Sequence, residues 1–338
     1  MTTSGPGSNV DPVAERDRHL QQLEVEIGAT ATDPTTLVRS AEQALTAARW
    51  AAAADGRDQR VIGLLQDTAQ LTAAAALSML SSHSEQSPLR GELMRVPPGL
   101  PRGALSTRHW IDGLWAATAS GDAAMARRLA RVDLSLLRPD ARPGELELAQ
   151  AMAGWWRSEE IGAFLIAALE VTDPSLLAES EIDHALDVVA PAIGVLRQLG
   201  DLDDAALERA FLSAGEAFVH YWTRRGAPND PRRFVSLPLS ALVRVAVDLR
   251  RSVRPISGVV PEVFAEPSGP ELCCPVCDQP FDIGETSCSW CVTDLIADAP
   301  LELSIDRLLN DPGSDCSRCG RSCPSTALRC WNCRNRLR

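Results

Sequence analysis

The sequence contains no lysine: all 33 basic side chains among its 338 residues are arginines, set against 45 acids for a net charge of −12. That usage suits a GC-rich coding genome. No apolar run approaches the roughly 18 residues that a membrane span needs, and the longest stretches, Ile161 to Val171 and Leu71 to Leu80, read as buried helix. Met1 to Asp11 lacks the basic segment and apolar core of a signal peptide, so a soluble protein in a reducing cytoplasm, with no membrane partner, is expected.

Catalytic signatures are missing as well. There is no Gly-rich phosphate loop, no His-Glu-x-x-His and no Gly-x-Ser-x-Gly elbow. His19, His83, His109, His184 and His220 are dispersed, none at ligand spacing from another. His109 beside Trp110, and His220 beside Tyr221 and Trp222, read as helix-packing histidines with a satisfied hydrogen bond rather than general bases. Glu159-Glu160 and Asp203-Asp204 suit the positive ends of helices. The Trp155-Trp156 pair reads as core and rim. No catalytic residue is assigned, and the chain is not expected to be an enzyme.

What the sequence does have is cysteine, confined to its end. Cys274-Pro-Val-Cys277 is followed after ten residues by Cys288-Ser-Trp-Cys291, and Cys316-Ser-Arg-Cys319 after ten residues by Cys330-Trp-Asn-Cys333. Each block supplies two thiolate pairs on tight turns, the set that closes a tetrahedral Zn²⁺ site with no position left open. Disulfides and redox chemistry compete for the same residues, but a reducing compartment disfavours the first and the duplicated frame favours zinc. Two structural Zn²⁺ ions are therefore expected. Cys273 competes with Cys274 and Cys323 with Cys319; the matching spacing of the two blocks favours the assignment given.

Charge is segregated. Residues 271–338 carry ten acids and seven arginines, which leaves −9 on residues 1–270. An acidic body argues against a nucleic-acid surface over most of the chain and suits a basic protein partner. Within the tail, Glu271 to Asp298 holds six acids and no base, whereas Cys316 to Arg338 holds six arginines and no acid. The second block can dock on an acidic surface or, less favourably, offer Trp331 and its arginines to nucleic acid.

The fold expected is mainly α: a compact array of antiparallel helices followed by two small four-cysteine zinc ribbons. Residues 1–10, rich in Ser, Thr, Gly and Pro, are expected to be disordered. Helices should fill residues 11–252. Asp11-Pro12, Asp33-Pro34, Asp173-Pro174 and Asp230-Pro231 each set a capping carboxylate before a proline suited to a first helical position. Leu207, Phe211, Ala214, Phe218 and Trp222 form one apolar stripe, and Ile161, Leu165, Ala168 and Leu169 another. Alanine at 51–54 and 73–76 favours helix and lets helices approach closely. Ser81 to Gly103, with four prolines and several glycines, reads as a long surface loop. Residues 253–270 read as a linker, 271–298 and 316–338 as the ribbons, and 299–315 as an inter-ribbon segment in which Leu301 to Asn310 can form a short helix.

A family resemblance runs through the body. It is carried by His109-Trp110 to Trp115, Gly121-Asp122 to Arg127-Arg128-Leu129-Ala130, Leu136-Leu137-Arg138 and Met152 to Trp156. It continues through Ala167-Ala168 to Thr172-Asp173-Pro174, His220-Tyr221-Trp222-Thr223, Asp230-Pro231 to Phe234, and Leu237-Pro238-Leu239 to Val247. Over roughly residues 35–265 this series resembles the Immunity 49 family, bacterial proteins of polymorphic toxin systems common in actinobacteria. The resemblance implies a protein that binds a cognate toxin and blocks it in the producing cell, with no catalytic residue to carry over and no partner-binding residue assigned. The acidic body suits a basic toxin such as a nuclease. The double ribbon departs from the family pattern, which ends near Val263-Phe264, and leaves room for a second role as an adaptor or regulator contacting nucleic acid or a larger complex.

Overall fold

The computed structural model describes residues 10–201, 203–225, 227, 229–251, 253, 254, 256 and 258–265, with backbone pairing also at 314–315 and 322–323. The chain divides into two compact units, Met1–Pro267 and Ser268–Arg338. The first is mainly helical.

Three long helices open it: α1 (Pro12–Ala29), α2 (Thr36–Ala54) and α3 (Arg60–Leu80). Asp11 caps α1 as expected, its carboxylate accepting from the Val13 N–H with Pro12 just inside the helix. Six residues join α1 to α2 and five join α2 to α3, and successive helices pack together, so neighbours run antiparallel. Alanine permits their close approach: Ala44, Ala47, Ala48, Ala51 and Ala73 to Ala76 are all buried.

Next come a hairpin and two helices, α4 (Thr107–Ala119) and α5 (Ala123–Leu129). Residues 81–103, expected as a loop, contain strands β1 (Glu85–Leu89) and β2 (Glu92–Val96), paired antiparallel with Leu89 opposite Glu92. Arg90 and Gly91 form the two-residue connection, both at positive φ (53° and 80°), as a type I′ turn requires. The prolines hid this because Pro88 is tolerated in a two-stranded ribbon, where one edge needs no ladder donor. Ser87, Leu89 and Val96 face the core.

Arg90 holds that hairpin to the helices. Its Nε donates to the buried Asp67 of α3 at 2.8 Å, its guanidinium also reaches Glu24 of α1 at 2.6 Å, and its backbone N–H donates to the Gln70 side chain. Burial pushes the Asp67 carboxyl up while Arg90 pulls it down.

The second half comprises α6 (Glu145–Arg157), α7 (Gly162–Glu170), α8 (Glu179–His184), α9 (Ala190–Leu199), α10 (Asp204–Arg225) and α11 (Leu237–Asp248). Asp203 caps α10 by accepting from the Ala206 N–H, the structural role expected of Asp203-Asp204. On α10 the stripe holds, with Leu207, Phe211, Ala214 and Phe218 buried and Trp222 half-buried. The Ile161 stripe holds only in part: Leu165 and Ala168 are buried and Ile161 half-buried, but Leu169 is 50% exposed. Nine residues packed on α6 and α9 cannot bury an all-apolar surface. Asp173-Pro174 and Asp230-Pro231 also differ from expectation, since each starts a single 3-10 turn, Pro174–Leu176 and Pro231–Phe234, with the carboxylate accepting two residues on. Asp33 likewise accepts from Thr35 in the turn before α2.

Between α8 and α9 the helix widens into one π turn, Ala185–Val189, where the Ala190 N–H reaches back five residues to Ala185. Pro191 follows directly. It has no N–H and its ring crowds the preceding turn, so a wider turn there relieves the conflict.

At the far end, part of the stretch expected as linker belongs to the packed body. Val259, Val260, Val263 and Phe264 are buried, the Ser236 N–H donates to the Val259 carbonyl at 2.9 Å, and the Val263 N–H to that of Gly56 at 3.1 Å. Prolines and glycine suggested a link, but the valines and Phe264 cover the α11 end of the core. The expected ribbons and the short helix at 301–310 lie outside the described residues, save for Ser314–Asp315 pairing antiparallel with Ser322–Cys323.

Replacing Arg90 by methionine leaves Asp67 buried without its cation. Breaking a fully buried pair costs roughly 3–5 kcal/mol; with Arg90 about 40% exposed, the expected loss is about 2 kcal/mol. Adding Asp67→Asn to Arg90→Met should recover part of it in urea unfolding. Equal stability of wild type and Arg90→Met would show that the clamp contributes nothing.

Candidate functional site

Charged side chains that are far apart in sequence converge on one cleft of about 90 Å³. Arg49 enters from α2, Arg108 and Asp112 from α4, Glu145 from α6, His184 from α8, Trp222 from α10 and Arg232 from the turn before α11. Ile111, Trp115, Leu148, Val189 and Phe218 supply an apolar lining.

Local structure fixes each of these groups. Ser106 caps α4 and the His109 ring closes a capping box, its Nδ1 accepting from the Ser106 N–H at 3.2 Å while Nε2 sits 2.7 Å from Glu42. That tautomer lets Nε2–H donate to the carboxylate, which is the satisfied packing role expected of His109. Arg108 follows one residue into the helix. Glu145 opens α6 after Gly144, whose φ of 79° suits glycine and whose added Cβ would lie 2.7 Å from Thr172 and 2.9 Å from Val189. His184 ends α8 immediately before the π turn that carries Val188 and Val189 to the cleft wall.

The electrostatics are strained. The Arg49 side chain is 13% exposed and its closest acid, Asp112, is 3.6 Å away. Burial lowers its pKa, Asp112 opposes the shift, and Arg232 and Arg108 add to it. Glu145 is raised by burial despite Arg108 at 3.8 Å and an N–H donated by Arg142. His184, 3.2 Å from Glu145 and edge-on to Tyr221, is pushed down to about 3, first by burial and then by Arg142, Arg108 and Arg232. Arg232 is engaged by Asp230 through paired hydrogen bonds and lies over the Trp222 ring, 5.5 Å from its centroid. Among the described residues, the buried Arg49 Nε and Trp222 Nε1 have no hydrogen-bond partner.

The sequence singles out His184 only as one of five dispersed histidines and gives no signal at Glu145 or Asp112; the structure brings the three together. One signal was available: Arg49 stands among Ala47, Ala48, Trp50 and Ala51, all buried. The Trp155-Trp156 expectation holds, whereas His220, read as helix-packing, keeps a hydrogen-bond partner but lies exposed. Trp156 is core, its Nε1 donating to Thr118 at 2.9 Å, beside a half-buried Trp155. His220 pairs with Asp187 at 3.2 Å. Cys274, Cys277, Cys288, Cys291, Cys316, Cys319, Cys330 and Cys333 lie outside the described residues. Among those that are described, no group of three or more His, Cys, Asp or Glu could hold a metal ion, and no helix is long and apolar enough to cross a membrane.

A mainly helical body with a charged cleft among its helices is thus in place. Its sequence from residue 35 to 264 matches the family model described as immunity protein 49. The match spans well over half of the chain, and the chain belongs to that family. No curated protein and no solved structure matches it.

The buried histidine sets a pH dependence. Unfolded His184 titrates near its ordinary value of about 6.5, whereas in the fold it stays neutral down to about 3. Below the unfolded value only the unfolded chain takes the proton. The stability present above about pH 6.5 is therefore lost as pH falls, by at most about 1.4 kcal/mol per unit. Glu145, raised in the fold, takes up its proton earlier than the unfolded chain and offsets part of the loss at lower pH. In urea unfolding at pH 7.5 and pH 5, His184→Gln should lose less stability than wild type on acidification. Equal losses would remove His184 as the cause.

Proposed function

We propose that this chain neutralises a cognate bacterial toxin by protein–protein contact, making and breaking no bonds itself, and that its tail is a docking attachment. The observation that carries the reading is the family match over residues 35–264, which takes in the buried Val263 and Phe264. An acidic body fits a basic toxin such as a nuclease and would speed its capture. A stable block calls for burying well over about 1,000 Å² of combined surface. The work would be done in the cytoplasm of the producing cell, where thiolates stay reduced.

The tail reading is two structural zinc ions, one on Cys274, Cys277, Cys288 and Cys291 and one on Cys316, Cys319, Cys330 and Cys333. Pairing of Ser314–Asp315 with Ser322–Cys323 supports it, because the segment joining the strands contains Cys316 and Cys319 while Cys323 lies within a strand. A short hairpin around Cys-x-x-Cys is a turn that presents two thiolates to one metal. Ribbons this small have little core, so the metal would supply most of their folding free energy. The six arginines of 316–338 support a narrower second use, contact with nucleic acid, which would show as steeply salt-dependent binding.

The protein encoded beside this one should co-purify with it, and co-expression should restore growth of cells making that protein; absence of both would contradict the reading. Elemental analysis should return two zincs per chain. Cys277→Ser should lose one of them and keep the helical circular dichroism, whereas a metal-free tail would refute the ribbons.

A further inference from the structure

The charged cleft lies inside a body of net −9, yet the groups gathered there are weighted the other way. Arg49, Arg108 and Arg232 line it, with Arg142 against Glu145 and Tyr221 behind. The acids are Asp112, Glu145 and Asp230, of which Asp230 is taken up by Arg232. The three lining guanidiniums form a ladder from floor to mouth, their side chains 13%, 34% and 41% exposed in the order Arg49, Arg108, Arg232. Around the floor, Ile111, Trp115 and Leu148 keep the dielectric low, so charge placed there counts for more than at the surface.

Helix geometry adds the same sign. Arg108, Glu145 and Leu237 are each within the first two residues of a helix of 12 or 13 residues, so the first turns of α4, α6 and α11 lie at the cleft, although the α4 end is already capped by Ser106 and Asp140. Two donors among these groups are unused, Arg49 Nε and Trp222 Nε1. An ion network that only knitted the helices together would pair its most deeply placed cation closely. Here Arg49 has its nearest acid at 3.6 Å and Asp230 farther off, with two further guanidiniums near enough to repel it.

We propose that this cleft binds an oxyanion, a carboxylate or phosphate group, between Arg49, Arg108 and Arg232 with the Trp222 indole N–H as a further donor. Guanidinium forks match such groups with charge-assisted hydrogen bonds. The volume admits a group of a few heavy atoms. Two sources supply this chemistry: a free small anion, or an acidic side chain from a protein seated over the mouth. The site does not rest on the toxin reading, and its test uses the isolated chain, so the two fail independently.

The test is titration of the full-length protein with inorganic phosphate and, separately, with acetate, at constant ionic strength in chloride. Binding is followed by calorimetry and by the ¹⁵N-resolved Trp222 indole signal, assigned with Trp222→Phe. At least one probe should bind saturably at one site and shift that signal, and Arg49→Gln should weaken it about tenfold or more. Arg18→Gln, at a side chain 65% exposed on α1, should leave it unchanged. Should Arg49→Gln fail to fold, the charge-balanced pair Arg49→Gln/Asp112→Asn takes its place. Tighter binding of phosphate assigns a free phosphate-type ligand, and equal or tighter binding of acetate assigns a carboxylate. If neither probe saturates, or if the Arg49 variants bind as well as wild type, the proposal is overturned.

Discussion

A guanidinium in an apolar helix interface is costly, and Arg49 occupies such a place. Everything around it is arranged to bear that cost. Asp112 comes from one turn into α4, Asp230 from the Pro231 turn, and the apolar floor from α4, α6 and α10. These groups arrive together only if α2, α4, α6, α10 and α11 pack in one relative arrangement, so the cluster specifies the arrangement as much as it stabilises it. Buried charge is weak as a source of net stability, and its attested use is in setting register. The alanine faces of α2 and α3 supply the complementary property, since small side chains let the backbones approach without dictating how.

How much of this was legible in the sequence depended on range. Features written within one turn of chain were readable: the Asp11 and Asp203 caps, the α10 stripe from Leu207 to Phe218, the buried alanines and the satisfied role of His109. Where the same local signal has two structural outcomes it misled, as with Asp173-Pro174 and Asp230-Pro231, whose carboxylates cap 3-10 turns instead of α-helices. The hairpin at 85–96 was hidden because its turn is Arg-Gly, not the usual Asn-Gly, and because its hold on the helices runs through Asp67 and Glu24, distant in sequence. The cleft was least legible of all. Its members span Arg49 to Pro238, and each reads as an ordinary helix residue until the helices are packed.

The family and the cleft bear on function in different ways. Membership in the family described as immunity protein 49 covers the helical body from residue 35 to 264. The perturbed His184 and Glu145 are a pattern that also occurs in catalytic sites. Here their shifts come first from burial, and the surrounding positive charge keeps the histidine neutral. A histidine held that far below its ordinary value is a poor base near neutral pH, so the arrangement suits holding an anion better than moving a proton. The cysteine-rich tail follows the family match and adds a second unit of different composition.

Contact and catalysis part most clearly in stoichiometry. With the cognate toxin in hand, its residual activity would be measured as this chain is added from well below to well above an equal amount. Neutralisation by contact predicts a linear fall to an end point fixed by the complex, near one chain per toxin. Complete inactivation by a small fraction of an equivalent, growing with time and leaving toxin of altered mass, would contradict it.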